Sequence, residues 1–255
     1  MKNVNSDIAY EYVRKRILNG EFPPGYALMT NVLSQEIGVS RTPVRDALRQ
    51  LEADGLVSIK ARLGASVKAM DMKEFREMCG MRLALESHAA GLAAKHRTEA
   101  DLQEIRYALE EMRRLTDRIV SSDQENALLN ELVREDVRFH IAIMAAAKND
   151  LMKKEILRLH LINRVVSTPA PGDTSRASDM EQLSRAERDA RKRSVLASHE
   201  EIFDAITRQD AAAAKQAMER HIEDIVDHNL RTMARAVSKA MAKDLTEEEL
   251  IYTTS

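Results

Sequence analysis

The stretch Val39–Gly55, VSRTPVRDALRQLEADG, decides how the chain reads. Ser40 or Thr42 can cap a helix N-terminus, and Pro43 suits the first turn, where a missing N–H costs nothing. Gly55 supplies a left-handed stop at the far end. Between these ends Val44, Ala47, Leu48 and Leu51 form an apolar stripe at helical spacing. Arg41, Arg45 and Arg49 recur every four residues and so line one side of the same helix. A guanidinium can make two parallel bonds to a guanine edge or a charge-assisted bond to phosphate, so this row suits a DNA major groove. It equally suits a solvated basic face on a surface helix. The flanks decide between the two.

Upstream, Ile8, Tyr12, Val13, Ile17 and Leu18 predict an amphipathic helix that ends near Asn19-Gly20. Pro23-Pro24-Gly25 breaks the chain, and Thr30 can cap a short helix that buries Val32, Leu33 and Ile37. Gly38 then makes the tight turn of a helix-turn-helix. Downstream, LVSI (56–59) and ASVKAM (65–70) are β-prone runs joined by Lys60-Ala61-Arg62-Leu63-Gly64, a two-stranded hairpin. A helix-turn-helix followed by such a hairpin is a winged helix.

VSRTPVRDALRQLEADGLV, with Gly64 in the wing, resembles the DNA-binding domain of the GntR family of bacterial transcription regulators. The resemblance implies that Arg41 and Arg45 read bases or grip phosphates, that Thr42 contacts the DNA backbone, and that Gly64 approaches the minor groove. Arg49 is added on geometry, as a phosphate contact. Asn31 and Leu63 depart from the family pattern, where charged residues are common.

The whole chain has 255 residues, 44% hydrophobic and 31% charged, with no Trp, a balance that fits a helix-rich globular protein. No apolar run approaches membrane-spanning length, the start lacks the layout of a signal peptide, and Cys79 is the one cysteine; a cytoplasmic protein is expected. Residues 1–69 hold ten Lys and Arg against seven Asp and Glu, a charge of +3; the remainder holds 29 against 34, a charge of −5. A basic head on an acidic body fits a polyanion-binding unit joined to something else.

From Asp71 onward Gly and Pro nearly vanish and apolar residues recur every three or four positions, which predicts an all-helical bundle. The expected fold is therefore mainly α. A winged helix-turn-helix spans 1–70, an all-helical binding and dimerisation body spans 71–243, and 244–255 is a polar tail. Within the body, STPAPGDTS (167–175) is a breaker loop, and the charged run MEQLSRAERDARKRS (180–194) is expected to be a helical, partly mobile segment that serves as a solvated flap.

Polar residues interrupt the apolar stripes of the body. One row reads Leu129, Val133, Asp136, His140, Ile143, Ala147, with Asp136 and His140 one turn apart. His199 sits in a row with Val195, Leu196, Ile202 and Ile206, and His221 in a row with Ala214, Ala217, Met218 and Ile225. These two lie about ten residues either side of Gln209-Asp210. In a helical hairpin both are then roughly 15 Å from the turn and face each other. A buried carboxylate is costly unless paired or bound to a cation. One carboxylate and three imidazoles converging in a bundle point to a divalent transition metal: Zn, Ni, Mn or Fe. Each histidine taken singly also fits an ordinary hydrogen-bonded core residue.

D-x-x-x-H with two later helical histidines 22 apart resembles the FCD ligand-binding domain of the FadR-like GntR subfamily. The resemblance implies metal ligation by Asp136, His140, His199 and His221 and a small carboxylate effector, a hydroxy acid or sugar acid. It also matches Arg82 to an arginine near the effector pocket; the alternative is an Arg82–Glu86 pair on the helix surface. His228, two turns beyond His221, could line the same pocket. The function expected is a homodimeric regulator, a repressor, that binds a palindromic operator in double-stranded DNA and is modulated by the effector, with no membrane partner. Two other functions stay open at this point: a metal-dependent enzyme acting on a small acid, and a bundle whose metal is purely structural.

Overall fold

The structure, a computed structural model, describes residues 4–121, 125–166 and 184–243, with 125–127, 229 and 231–243 as helix backbone alone. The expected breaker loop at 167–175, the start of the expected flap at 180–183 and the tail at 244–255 lie outside these residues. The chain divides into two compact units. No described helix is long and apolar enough to cross a membrane.

The first unit contains α1 (Val4–Leu18), α2 (Thr30–Ile37), α3 (Arg41–Ala53), β1 (Val57–Lys60) and β2 (Gly64–Val67), together with the end of α7 from Leu157. Its core is built from the buried stripes of three helices. Ala9, Val13 and Ile17 of α1 and Leu33 of α2 pack with Val44, Ala47, Leu48 and Leu51 of α3; Leu56, Val57 and Val67 close the hairpin side. The strands pair antiparallel, from Val57 opposite Val67 to Lys60 opposite Gly64. Gly38 ends α2 in the left-handed region, at φ 75°, and its N–H bonds to the Ser34 carbonyl. Three local expectations are corrected. Ile8 is exposed, because Ala9 rather than its neighbour faces the core. Thr30 is the first residue of α2 and Met29 occupies the cap, without a side-chain bond. Ser40 takes the cap position of α3 in extended geometry, but neither it nor Thr42 makes a capping side-chain bond.

The second unit contains α4 (Met72–His96), α5 (Glu99–Ser121), α6 (Glu125–Ala146), the start of α7 (Asp150–Val166), α8 (Arg185–Thr207) and α9 (Ala211–Lys243). Small residues let α4 and α9 approach closely. A Cβ on Gly91 would stand 3.2 Å from the Ala211 carbonyl oxygen, and Ala90, Ala93 and Ala94 meet Ala214 and Ala217 in one core. Phe139, Ile143, Ile202 and Met218 fill its centre. Gln209, at φ 58°, turns α8 into α9, and Arg97 donates to the Thr207 carbonyl at 2.8 Å, satisfying the end of α8.

Two expectations about this unit change. Residues 185–194 are not a separate flap. They are the first turns of α8, which runs unbroken into the helix carrying His199 and starts at a capping box in which Ser184 and Glu187 bond each other's backbone N–H. The helix α7, expected wholly within the body, joins the first unit from Leu157, where Leu161 and Val165 complete that unit's apolar core.

Gly55 stands at φ +81°, and a Cβ there would come 2.6 Å from Cδ1 of Ile162. Gly25 also has φ +81°, with open space around it. Gly25→Ala is expected to lose about 1–2 kcal/mol of stability from the left-handed backbone alone. Gly55→Ala should lose about 1 kcal/mol more, because Ile162 must move. Denaturant unfolding of the two variants measures the difference, and equal losses would show that Ile162 yields without cost.

Candidate metal centre and nucleic-acid interface

The third helix presents two faces of opposite character. Pro43, Val44, Ala47, Leu48 and Leu51 are buried, while Arg41, Thr42, Arg45 and Arg49 are all exposed. Arg49 lies 3.9 Å from Asp46 on the same helix, a loose pair that leaves its guanidinium in solvent. Gly64 sits at φ +90°, with nothing within 4 Å of the direction a Cβ would take, so the wing backbone can approach another surface closely. Beside it Leu63 is 82% exposed. A groove of about 420 Å³ runs between wing and helices, lined by Met29, Thr30, Asn31, Arg41, Leu63 and Gly64. Guanidiniums, a helix N-terminus and a bare backbone turn are the components that grip a phosphate backbone and reach base edges.

In the second unit His140 of α6, His199 of α8 and His221 of α9 are all buried, each offering a ring nitrogen within 4.8 Å of the others. The ring centroids of His199 and His221 are 4.2 Å apart, as expected from their equal distance to the Gln209 turn. Asp136 joins them, its Oδ1 3.1 Å from Nε2 of His199, with its side chain 35% exposed. Phe139 stands edge-on to His199, its ring centre 4.8 Å away, and walls the cluster on the core side. Val133, expected in the inward row with Asp136, is instead 59% exposed. It stands at nearly the same angle on α6 as buried His140, but two turns nearer the start of the helix, where it is open to solvent.

The proton positions follow from what each outer nitrogen meets. Nδ1 of His199 is 2.7 Å from the Val195 carbonyl, which only accepts, so that nitrogen carries the proton. The hydroxyl of Ser198 spends its one proton on the same carbonyl, at 2.7 Å. It therefore accepts from Nδ1–H of His221 at 2.8 Å. Nδ1 of His140 faces the Glu86 carboxylate at 3.2 Å and donates to it. When the rings are neutral, all three thus turn an unprotonated Nε2 inward, and the Nε2 atoms of His140 and His221 stand only 3.2 Å apart. Two bare lone pairs at that distance repel. A proton between them relieves one pair only, whereas a divalent cation serves three nitrogens and a carboxylate together. The donor set fits such a cation.

Where no cation is bound, the carboxylates of Glu86 and Asp136 take over that role in part by favouring a proton on His140. Burial works against an ionised Asp136, but its close contact with His199 and the fields of the three rings outweigh it and hold the carboxyl well below the usual carboxylate range. Burial likewise opposes a charged His140; the Glu86 bond and the charges of Asp136 and Glu86 outweigh it and raise its pKa. Burial and then the neighbouring His199 and His140 push His221 well below the ordinary histidine value.

Arg82 is buried and donates through Nε to Oε1 of Glu86 at 2.8 Å, with Glu86 itself at 0% exposure. The pair with Glu86 exists, not on the helix surface but inside the bundle, where Arg82 fixes the carboxylate that faces His140. Glu86 and Ser198 were missed as parts of the site. A signal for Glu86 was present, since Cys79, Arg82, Glu86, Ala90 and Ala93 form one buried heptad row. Ser198 is an ordinary exposed-type residue in sequence, and only its place beside His221 gives it a role.

Two profiles of known families match the chain: residues 5–67 match "Bacterial regulatory proteins, gntR family" and residues 77–224 match the FCD domain. The HTH-type transcriptional regulator LutR of Bacillus subtilis (strain 168) is 31% identical over 227 residues, 83% of this chain and 94% of LutR. The galactonate operon transcriptional repressor of Escherichia coli (strain K12) is 26% identical over 224 residues, covering 80% of this chain and 87% of the repressor. Among solved structures, E. coli McbR/YncC shares the fold with a TM-score of 0.61 at 20% identity, over 92% of this chain and 99% of that one. A regulator from Rhodococcus sp. RHA1 shares it at 0.57, also 20% identical, over 91% and 98%. The chain belongs to the GntR family of bacterial regulatory proteins, in the group whose C-terminal body is an FCD domain, and it is a transcriptional regulator rather than an enzyme.

Proposed function

We propose that the chain is a repressor whose homodimer holds the two halves of a palindromic operator and lets go when a small carboxylate binds beside a divalent transition metal in the FCD domain. The inward convergence of three unprotonated Nε2 atoms on the Asp136 side of the bundle carries this reading. The relatives include a repressor of the galactonate operon, which supports repression as the mode.

Asp136, His140, His199 and His221 would hold the metal. When bound, it supplies a Lewis-acidic position that a carboxylate oxygen can occupy. The chain's own residues prepare that position. Glu86, itself held by Arg82, keeps the His140 proton on the outer nitrogen. Ser198 and the Val195 carbonyl do the same for His221 and His199. On the DNA side, Arg41 and Arg45 read base edges, Thr42 and Arg49 contact the phosphate backbone, and Gly64 brings the wing to the minor groove. An effector changes operator affinity only as far as it binds the two states of the dimer differently.

Arg45→Ala removes an exposed side chain and should leave the fold intact while weakening specific operator binding by roughly 1–3 kcal/mol, about 5- to 150-fold, in a gel-shift titration at fixed salt. Unchanged binding would remove Arg45 from the interface. Elemental analysis is expected to find one divalent metal per wild-type chain and far less in His199→Ala and His221→Ala. A chelator should lower the melting temperature of the wild type, since a ligand at a hundred times its Kd contributes about 2.7 kcal/mol. A melting temperature indifferent to chelator would count against the metal. In the metal-loaded protein, small carboxylates should raise the melting temperature and reduce operator binding. If they do neither, the metal is structural and the effector role fails.

A further inference from the structure

The wing is tied down at its base and fixed at its tip. β2 is bonded on both sides: to β1, and to the segment before α2, where the Leu28 N–H donates to the Ala65 carbonyl at 2.8 Å and Ala27 pairs with Ser66. β1 is held to α3 by the Ile59 N–H, which donates to the Glu52 carboxylate at 2.9 Å. At the turn the Leu63 N–H donates to the Lys60 carbonyl at 3.1 Å. Arg62 and Gly64, on either side of Leu63, both stand in the left-handed region, at φ 67° and 90°. That conformation is unfavourable for an arginine, so the bonds around the turn impose it.

What this fixed tip presents is a leucine, 82% exposed, next to the bare backbone of Gly64. A single exposed leucine is ordinary on a protein surface; its setting here is not. Lys60 and Arg62 are exposed beside it on the turn, and the groove it lines also holds the exposed Arg41 of α3 and Met29, 58% exposed. An apolar tip among cations fits a polyanion whose apolar interior can be entered from outside. Duplex DNA is one, with stacked bases between its phosphate strands. A leucine side chain makes no hydrogen bond and so reads no base edge. It can enter a base step from the minor groove as a wedge, at a cost set by how easily that step opens. Pyrimidine–purine steps open most easily. Guanine would set its minor-groove amino group against the leucine without a partner, which leaves 5′-TA as the favoured step.

We propose that Leu63 is an apolar wedge that enters the minor groove at a 5′-TA step of each operator half-site and partly unstacks it. This rests on the operator reading above, in which Gly64 brings the wing to the minor groove. It adds a second mode of recognition: α3 reads base edges, and the wing reads how readily a step deforms.

Selection from random duplex DNA, run in parallel with full-length wild type and Leu63→Ala, tests it. Wild type is expected to enrich 5′-TA at a fixed offset from the α3 contacts in each half-site, and Leu63→Ala to enrich the same site without that step. On the duplex selected by wild type, Leu63→Ala should bind about fivefold or more weakly. The salt dependence of binding should not change, because no charge is lost. With 2-aminopurine in place of the adenine of that step, fluorescence should rise when wild type binds, reporting unstacking, and stay low with Leu63→Ala. Circular dichroism and melting temperature should match the wild type, since the side chain is exposed. Equal enrichment of the step by both proteins, or equal affinity, overturns the wedge and leaves the operator reading standing. Weaker binding by Leu63→Ala with no rise in fluorescence for wild type also overturns it, since the leucine then touches DNA without opening it. A changed oligomeric mass of Leu63→Ala in light scattering, with DNA binding unaltered, overturns it in favour of a contact between copies. If wild type enriches no sequence, the wedge and the operator reading fall together.

Discussion

The second unit depends on where three protons sit. An imidazole has one proton to give when neutral, and His140, His199 and His221 each give it outward, to Glu86, the Val195 carbonyl and Ser198. What remains inside a packed bundle is a set of lone pairs aimed at one another. Nothing in the apolar surroundings of Phe139, Ile143 and Met218 can answer them. The outer partners therefore decide the chemistry of the centre as much as the histidines do, and Arg82 belongs to it through Glu86 although it touches none of the rings in the contacts described.

Helical geometry brings these groups to one level. The hairpin of α8 and α9 places His199 and His221 at matched distance from Gln209, whose left-handed conformation closes the turn, and Arg97 ties off the α8 end there. Contact between α4 and α9 at Gly91 and Ala211 sets the spacing at which Arg82 and Glu86 sit inside the bundle rather than on its surface. A larger residue at that seam would separate the helices and shift Glu86, which α4 carries, relative to the histidines.

Much of this was readable from spacing. The winged helix follows from a stripe, a row of arginines and three glycines, because each of those signals is local. Asp136, His140, His199 and His221 were found because a polar residue inside an apolar helical row is conspicuous, and because a hairpin converts equal sequence distance into equal height. Glu86 escaped since an Arg four residues before a Glu reads the same whether the pair is solvated or buried; only the packing of α4 against its neighbours decides. Val133 was misassigned because periodicity fixes the angle of a side chain round its helix, not whether a neighbouring element covers it at that height. The helical character of the charged run was legible, but not its continuity with the helix carrying His199: charge suggested a detached segment, whereas one capping box at Ser184 starts the whole of α8.

The two faces of α3 differ in what they allow to change over time. Leu48 and Leu51 carry the stability of the winged helix, while Arg41, Arg45 and Arg49 carry almost none of it, being exposed. Descendants of this chain can therefore exchange the arginine side with little effect on folding, and with it the operator, if those side chains read DNA as proposed. The histidine centre has no such freedom, because His140, His199 and His221 are at once ligand-type residues and core residues. Divergence in this architecture should run fast in the DNA it reads and slowly in the centre it keeps.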